Sequence, residues 1–249
     1  MSPPEPQASP AKASLFVTGS CEPEALKPWP CEDSVYGDDV LVGTVTDWLL
    51  DQQRTVFQTF LLDPDEAVHS LMVLQRLHIP QGGKVASLGS GVGGMEGYWL
   101  ARRPDIDLWL VNASMAQLCR AVCPATLVLC DMRDTPPAMP DKGWPGYDVV
   151  AMAYSLHHVD DVPAMIGTAL AALKPGGALL VLDVVDGGEA YHAAVRYRTP
   201  RSEVLAACGL VRLDHGLEWH RQPVEVLGAH VHAVLDRDPV RPGMWLGMA

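Results

Sequence analysis

The chain has 249 residues, of which 48% are hydrophobic and 19% charged, which suits one well-packed domain with a short extension. Thirty acidic residues against 18 lysines and arginines give a net charge of -12, which argues against a protein that follows nucleic-acid phosphates. No apolar stretch approaches the roughly 18 uninterrupted residues of a membrane helix. The six cysteines form no CxxC pair or zinc-type cluster and no secretory signal is evident, so we expect a cytoplasmic protein without a metal site.

The N-terminal third differs in composition from the remainder of the chain. Residues 1–34 are rich in Pro, Ser and Glu, which predicts a flexible tail followed by an irregular strap. In residues 44–62 apolar side chains recur with a period near 3.6, and Asp63-Pro64 is typical of the start of a second helix. We therefore expect residues 35–80 to form a helical lid.

From Lys84 onward, short apolar runs alternate with helical patterns. The runs KVASLG, DLWLVN, ATLVLC, YDVVAMA and GALLVLDVV predict strands, and MEGYWLARR, SMAQLCRAV and DDVPAMIGTALAAL predict helices. Such alternation predicts an α/β domain over residues 81–249, with a mostly parallel sheet covered by helices on both faces. Ligands of open sheets of this kind bind at the carboxyl ends of the strands.

A glycine-rich turn follows the first of these strands. Gly89-Ser90-Gly91-Val92-Gly93-Gly94 lies between strand and helix, where glycine allows a sharp turn and close approach to a ligand. The turn alone is weak evidence, because similar turns serve plain loops and dinucleotide sites. Its spacing differs from the G-x-G-x-x-G of dinucleotide-binding domains.

The segments downstream of the turn make the pattern specific. The second strand ends at Asn112, the third ends in CDMR, the fourth continues as AYSLHHVDD, and LKPGG precedes the fifth. Together, over roughly residues 84–185, these segments resemble class I S-adenosylmethionine-dependent methyltransferases. The resemblance implies a Rossmann-like sheet of about seven strands with an N-terminal lid, and S-adenosylmethionine as the cofactor with S-adenosylhomocysteine as product. A ligand-free doubly wound domain and an NAD-dependent oxidoreductase are the less favoured alternatives.

Two segments resemble one branch of that family. LVNASMAQL is similar to the version in methyltransferases of sterols, tocopherols, fatty acyl chains and prenyl diphosphates, and AYHAAVRYRTPRSEVLAACGLV is similar to geranyl diphosphate C-methyltransferases. Ser87 and Asn112 stand where the family usually has acids. The resemblance favours C-methylation of an isoprenoid or prenyl diphosphate at an alkene carbon. N- or O-methylation of a polar metabolite, and an inactive cofactor-binding module, are the alternatives.

The resemblance and the residue types together name a candidate site for a small-molecule substrate, and the sequence leaves a homo-oligomer open. The expected cofactor-binding residues are Tyr36, Gly89, Ser90, Gly91, Gly93, Asn112, Ala113, Gln117, Asp131, Met132 and Ala153. The candidate catalytic residues, taken as a group, are Glu96, Tyr154, His157 and His158. Their competing interpretations are a helix-terminal charge for Glu96 and pocket structure for the histidines.

The chain also carries three arginines within six residues, and these are the candidate substrate-binding residues. Arg196, Arg198 and Arg201 lie beside an expected helix start, an arrangement that suits a diphosphate. A solvated basic loop explains them equally well. If a diphosphate binds, Mg²⁺ is its expected companion, although the sequence has no dedicated acidic box.

Overall fold

The computed structural model describes residues 15–17, 79–139, 146–184, 200–213 and 242–249. The strands are β1 (Leu15–Val17), β2 (Lys84–Leu88), β3 (Asp107–Asn112), β4 (Thr126–Leu129), β5 (Tyr147–Ala153), β6 (Leu173–Val184), β7 (Val211–Leu213) and β8 (Pro242–Met248). The helices are α1 (Gly94–Arg102), α2 (Met115–Leu118), α3 (Val162–Ala171) and α4 (Ser202–Ala207). Single 3₁₀ turns cover Met132–Asp134 and Leu156–His158.

The strands form one mixed sheet in the order β1-β4-β3-β2-β5-β6-β8-β7. The pairs from β1 to β6 are parallel, and β8 is antiparallel to both β6 and β7. The predicted mostly parallel sheet of about seven strands with flanking helices is therefore confirmed, and all five strands predicted from the sequence form. The three-residue strand β1 is an additional edge strand.

Two hydrophobic clusters lie on opposite faces of the sheet because successive strand residues point to opposite sides. In β6, for example, Leu179 and Val181 belong to one cluster and Leu180 and Leu182 to the other. The first cluster includes residues of α3 and α4, and the second includes residues of α1 and α2. The helices are held mainly by burying apolar side chains against the sheet.

Three elements differ from the sequence-based expectation. Strand β1 lies within residues 1–34, the stretch predicted to be a flexible tail and an irregular strap, and its backbone pairs with β4. Helix α2 ends at Leu118 rather than near Val122, because the backbone N–H of Val122 donates to Val92 of the glycine-rich turn. Strand β6 begins at Leu173 and so includes the Lys-Pro-Gly-Gly segment, with a register shift where it pairs with β5.

The sheet order places the ends of four strands side by side. The chain leaves β2 in one direction to β3 and β4, and β5 lies on the other side of β2. In open α/β sheets, such a reversal marks the crevice at the carboxyl ends where ligands usually bind. The predicted lid, residues 35–80, lies almost wholly outside the described residues. No helix in the described part of the chain is long and apolar enough to cross a membrane.

Candidate functional site

The glycine-rich turn leaves β2 through three residues with left-handed backbone. Gly89, Gly91 and Gly93 have φ values of 71°, 58° and 75°, a region that favours glycine. A Cβ on Gly89 would lie 2.5 Å from Cβ of Ser155, and one on Gly93 would lie 2.7 Å from Leu110, so both glycines permit close packing. A Cβ on Gly91 would have no atom within 4 Å. Gly91 therefore faces open space, unlike its two neighbours.

A buried polar atom lies in the same turn. The Oγ atom of Ser90 is buried and has no hydrogen-bond partner among the described residues. Because buried hydroxyl groups normally find a partner, this atom is suited to a polar ligand group. Together, the open space at Gly91 and the hydroxyl of Ser90 form a cradle of the kind that a small polar ligand fills.

The end of β3 is tied to the glycine-rich turn by Asn112. Its side-chain amide donates to the carbonyl of Gly91 (3.1 Å) and to Oε1 of Gln117 (2.8 Å), and its carbonyl accepts from the backbone of Ser114 (3.2 Å). Ser114 in turn caps α2 through a bond from the Gln117 backbone. Asn112 thus fixes the position of two other candidate binding residues. Ala113 is buried directly after β3.

The end of β4 carries an acid that is paired with a neighbouring arginine. Asp131 accepts hydrogen bonds from the backbone and guanidinium of Arg133, and it caps the turn that begins at Met132. This pairing raises the pKa of Arg133 further above its ordinary value. Met132 is buried, and its sulfur would lie 3.4 Å from a Cβ on Gly89. Met132 therefore flanks the glycine-rich turn, and Asp131 directly precedes Met132 in the chain.

Glu96 occupies a buried position in the first turn of α1. Its carboxyl group accepts a hydrogen bond from the hydroxyl of Ser87, which is also buried near the end of β2. Burial raises the pKa of Glu96 above its ordinary value, and the bond from Ser87 opposes that shift only in part. Glu96 therefore joins α1 to the strand directly before the glycine-rich turn.

The end of β5 has an unusual backbone. Tyr154 is the only non-glycine residue with positive φ among the described residues, at 52°, and its N–H donates to Leu182 of β6 at 2.7 Å. Such a conformation costs free energy in residues other than glycine and occurs often at functional sites. Ser155 then donates its hydroxyl to the carbonyl of Leu88, which joins the ends of β5 and β2. Ala153, the last residue of β5, is half-buried.

Two histidines follow on the 3₁₀ turn. Nδ1 of His157 lies 2.8 Å from Oδ1 of Asp183, and the backbone N–H of His157 donates to Oδ2 of the same carboxylate at 3.2 Å. The ring of His158 lies 4.4 Å from that of His157, measured between centroids. Asp183 belongs to the carboxyl end of β6, so the pair joins two neighbouring strand ends.

The arginine segment is only partly described. Arg201 is exposed and precedes α4, which has only six residues. Because the dipole of so short a helix is weak, an anion there would be held by the arginine side chains. Tyr36, Arg196 and Arg198 lie outside the described residues. Among the described residues there is no group of three metal-ligating side chains.

The structure brings most of the predicted site residues to one edge of the sheet. Those from the ends of β2, β3, β4 and β5 lie along this edge, where Asn112 and Met132 are next to the glycine-rich turn. Arg201 lies elsewhere in the chain, before α4. Sequence reasoning missed Asp183 and Ser155. The signal for Asp183 was a single acid at the end of the apolar run GALLVLDVV, whereas Ser155 had no distinctive signal in the sequence.

Comparison with known proteins adds a family match. A family profile described as a methyltransferase domain matches residues 42–220. Among curated proteins, phosphoethanolamine N-methyltransferase 1 of Arabidopsis thaliana is 26% identical over 112 residues, which is 44% of this chain and 23% of that protein. The chain therefore spans about a quarter of the length of the curated relative that it matches.

Solved structures share the fold. The [4+2]-cyclase SpnF superposes with a TM-score of 0.59 at 18% identity, over 84% of this chain and 94% of that one. Phosphoethanolamine N-methyltransferase 2 of Haemonchus contortus, solved with phosphomonomethylethanolamine and S-adenosylhomocysteine, gives 0.53 at 16% identity, over 73% and 52%. At these identities the likeness shows the fold alone.

Proposed function

Because the chain belongs to the methyltransferase domain family, we propose that it transfers the methyl group of S-adenosylmethionine to a small molecule. The observation that carries this proposal is the cradle of the glycine-rich turn. Gly91 faces open space and the buried hydroxyl of Ser90 has no partner among the described residues, at the crevice where such sheets bind ligands. When bound there, the cofactor supplies an electrophilic methyl group on a sulfonium sulfur.

The residues around the crevice suit the two ends of that cofactor. We assign the amino-acid part to the backbone of Gly89, Gly91 and Gly93 with the hydroxyl of Ser90, since only small groups leave room there. We assign the ribose to the carbonyl oxygen of Asn112, which has a second lone pair beside the bond from Ser114, because the amide group is already used by Gly91 and Gln117. The adenine is assigned to the region of Ala113, Asp131 and Met132. Tyr36 of the lid and Ala153 are the remaining residues that we assign to the cofactor.

The first candidate acceptor is an alkene carbon of an isoprenoid or prenyl diphosphate. The support is the polar set Asn112, Ser114 and Gln117, whose sequence pattern resembles that branch and whose side chains lie in one hydrogen-bonded cluster. Arg196, Arg198 and Arg201 are proposed to hold the diphosphate, with Mg²⁺ as its companion. Methylation of an alkene carbon ends with loss of a proton, so a nearby base is needed.

The second candidate acceptor is a nitrogen or oxygen of a polar metabolite. The sequence between Ala151 and His157 has no carboxylate that would stabilise a carbocation near Tyr154. The curated relative in Arabidopsis thaliana is named for N-methylation of phosphoethanolamine, which also carries a phosphate. Nitrogen and oxygen acceptors form no carbocation and need only a proton acceptor.

The test is methyl transfer to a defined panel. The chain would be incubated with labelled cofactor and, separately, isopentenyl, dimethylallyl, geranyl and farnesyl diphosphate and phosphoethanolamine, with and without EDTA, followed by mass spectrometry. A methylated prenyl diphosphate supports the first candidate, and a methylated amine supports the second. Transfer to none would overturn the proposed methyl transfer. Measurable binding of S-adenosylhomocysteine by calorimetry would then favour an inactive cofactor-binding module, and absence of binding would also overturn the assigned cofactor site.

A further inference from the structure

Asp183 is a fully buried carboxylate at the carboxyl end of an otherwise apolar strand. Its exposed fraction is 0%, and both of its oxygens contact His157, one at the ring and one at the backbone N–H. Burying a carboxylate is unfavourable unless hydrogen bonds and a partner compensate. The two contacts to one residue fix both the backbone position and the ring orientation of His157.

This contact determines which ring nitrogen of His157 carries a proton. A carboxylate only accepts hydrogen bonds, so the nitrogen facing it, Nδ1, is the protonated one. In the neutral ring the lone pair then lies on Nε2. The side chain of His157 is 10% exposed. His157 follows Tyr154, the residue with positive φ, by three residues, at the edge of the sheet that holds the cradle.

A purely structural clamp between β5 and β6 explains the pair less well. The two strands already form a continuous parallel ladder in which Val149 to Ala153 pair with Ala178 to Leu182. Replacing a buried ion pair by apolar groups of similar size is often neutral or stabilising, so such a pair is a poor means of joining strands. A carboxylate that orients an imidazole is, by contrast, a recurrent arrangement for proton transfer.

We propose that Asp183 is a positioning residue that holds His157 as the proton acceptor of the methyl transfer; this inference rests on the proposed function. As the acceptor atom forms its bond to the methyl carbon, the electron pair of the sulfur–methyl bond stays on sulfur. The proton of the acceptor passes to Nε2 of His157. The imidazolium formed is stabilised by the carboxylate of Asp183, which remains ionised.

The first arm of the test needs no acceptor. In ¹⁵N-histidine-labelled protein at pH 8.5, about two units above the ordinary pKa of imidazole, long-range ¹H–¹⁵N spectra report the state of each ring nitrogen. His157→Gln assigns the signal among the nine histidines. We expect a protonated Nδ1 and an unprotonated Nε2 in the native chain, and loss of that pattern in Asp183→Asn. A native ring with unprotonated Nδ1, or with both nitrogens protonated, would overturn the proposal.

The second arm measures kinetics with whichever acceptor the native chain methylates. Asp183→Asn should lower kcat about 10²- to 10⁴-fold, the usual contribution of general base catalysis, while the affinity for S-adenosylhomocysteine stays within about threefold. Asp183→Glu keeps a carboxylate and should recover part of kcat. It also keeps the test usable if the asparagine variant fails to fold. A kcat within threefold of the native value in Asp183→Asn would overturn the proposal.

A matched control lies at the opposite end of β5. Asp148 accepts from the backbone of Lys84 (2.7 Å) and from Nζ of Lys174 (2.8 Å), so Asp148→Asn is the same chemical change away from the crevice. It should leave kcat and the His157 spectrum unchanged. If the native chain methylates no acceptor, the proposed function is wrong, and the proposed catalytic roles of His157 and Asp183 are wrong with it. The spectra would then still show whether Asp183 sets the ring state.

Discussion

At the scale of single residues, two properties of Gly91 bear on ligand binding. Its backbone is left-handed and its missing side chain faces space that the described residues do not fill. We expect Gly91→Val to keep the fold but lose binding of S-adenosylmethionine, because the added branches enter the ligand space. Titration calorimetry would measure this loss.

Gly176 offers a matched control for the backbone strain. It also has positive φ, at 77°, and no atom within 4 Å of an added Cβ, but it lies near the start of β6, away from the carboxyl ends of the parallel strands. Both valine variants should lose about 1–3 kcal/mol of unfolding free energy from the strained backbone. Only the variant at Gly91 should lose the cofactor. Unchanged affinity in that variant would show that the cofactor lies elsewhere.

Glu96 predicts a pH dependence of stability. Burial raises its pKa above 4.5, so the native state holds the proton more tightly than the unfolded chain does. The resulting stabilisation is complete below about pH 4.5 and declines as pH rises through the pKa of the native state. Glu96→Gln cannot lose this proton, so its unfolding free energy should improve relative to the native chain as pH rises.

Urea denaturation at pH 5, 6.5 and 8 would measure that difference. The exposed Glu203 on α4 provides the control, since Glu203→Gln removes a surface carboxylate from another short helix. A difference between Glu96→Gln and the native chain that stays constant over this range would contradict the prediction. It would mean that the carboxyl group is ionised equally in both states.

At the scale of elements, β3, α2 and the glycine-rich turn are joined by one side chain. The amide of Asn112 donates to Gly91 and to Gln117, so replacing either Asn112 or Gln117 removes the bond between their side chains. We expect Asn112→Ala and Gln117→Ala each to weaken S-adenosylhomocysteine binding by about 0.5–1.5 kcal/mol, or roughly 2- to 13-fold. The double variant should lose less than the sum, because each change removes the same bond. Calorimetry showing native affinity in Asn112→Ala would place the ribose elsewhere.

The arginine segment before α4 makes a separate prediction about the acceptor. If Arg196, Arg198 and Arg201 hold a diphosphate, each Arg→Ala variant loses a charge-assisted contact of about 1.5–3 kcal/mol. Substrate KM should then rise far more than cofactor affinity changes, because the headgroup is held in ground and transition states alike. Steady-state assays of the three variants would measure this. Native KM values in all three would favour an acceptor held in another way.

The elements also show how far the sequence could be interpreted. The alternation of apolar runs and helical patterns predicted every strand from β2 to β6, since each run is long enough to cross a buried sheet. Strand β1 could not be predicted, because its three residues pair with β4, which is over a hundred positions away. The end of α2 was missed for a similar reason, a bond from Val122 to Val92. Contacts between distant parts of the chain leave little local signal.

In the candidate site, too, features with a local sequence pattern could be predicted and features that depend on distant contacts could not. The glycines and the residues at strand ends follow from the α/β pattern, because parallel strands bring their carboxyl ends to one edge. The pairing of Asp183 with His157 does not, since it depends on β6 lying beside β5 and on the turn after Tyr154. The positive φ of Tyr154 is likewise invisible in the sequence.

At the scale of the whole molecule, binding of the cofactor can be tested without knowing the acceptor. A ligand that binds only the folded chain stabilises it by about 2.7 kcal/mol at a concentration of 100 Kd. For a protein of this size 1 kcal/mol corresponds to roughly 2–4 °C in Tm, so S-adenosylhomocysteine should raise Tm by about 5–11 °C. S-adenosylhomocysteine should not raise the Tm of Gly91→Val. It should raise the Tm of Gly176→Val as much as that of the native chain, although the variant without ligand has a lower Tm. Scanning calorimetry of the three proteins would measure these shifts, and a native chain whose Tm is unchanged by millimolar S-adenosylhomocysteine would contradict the assigned cofactor site.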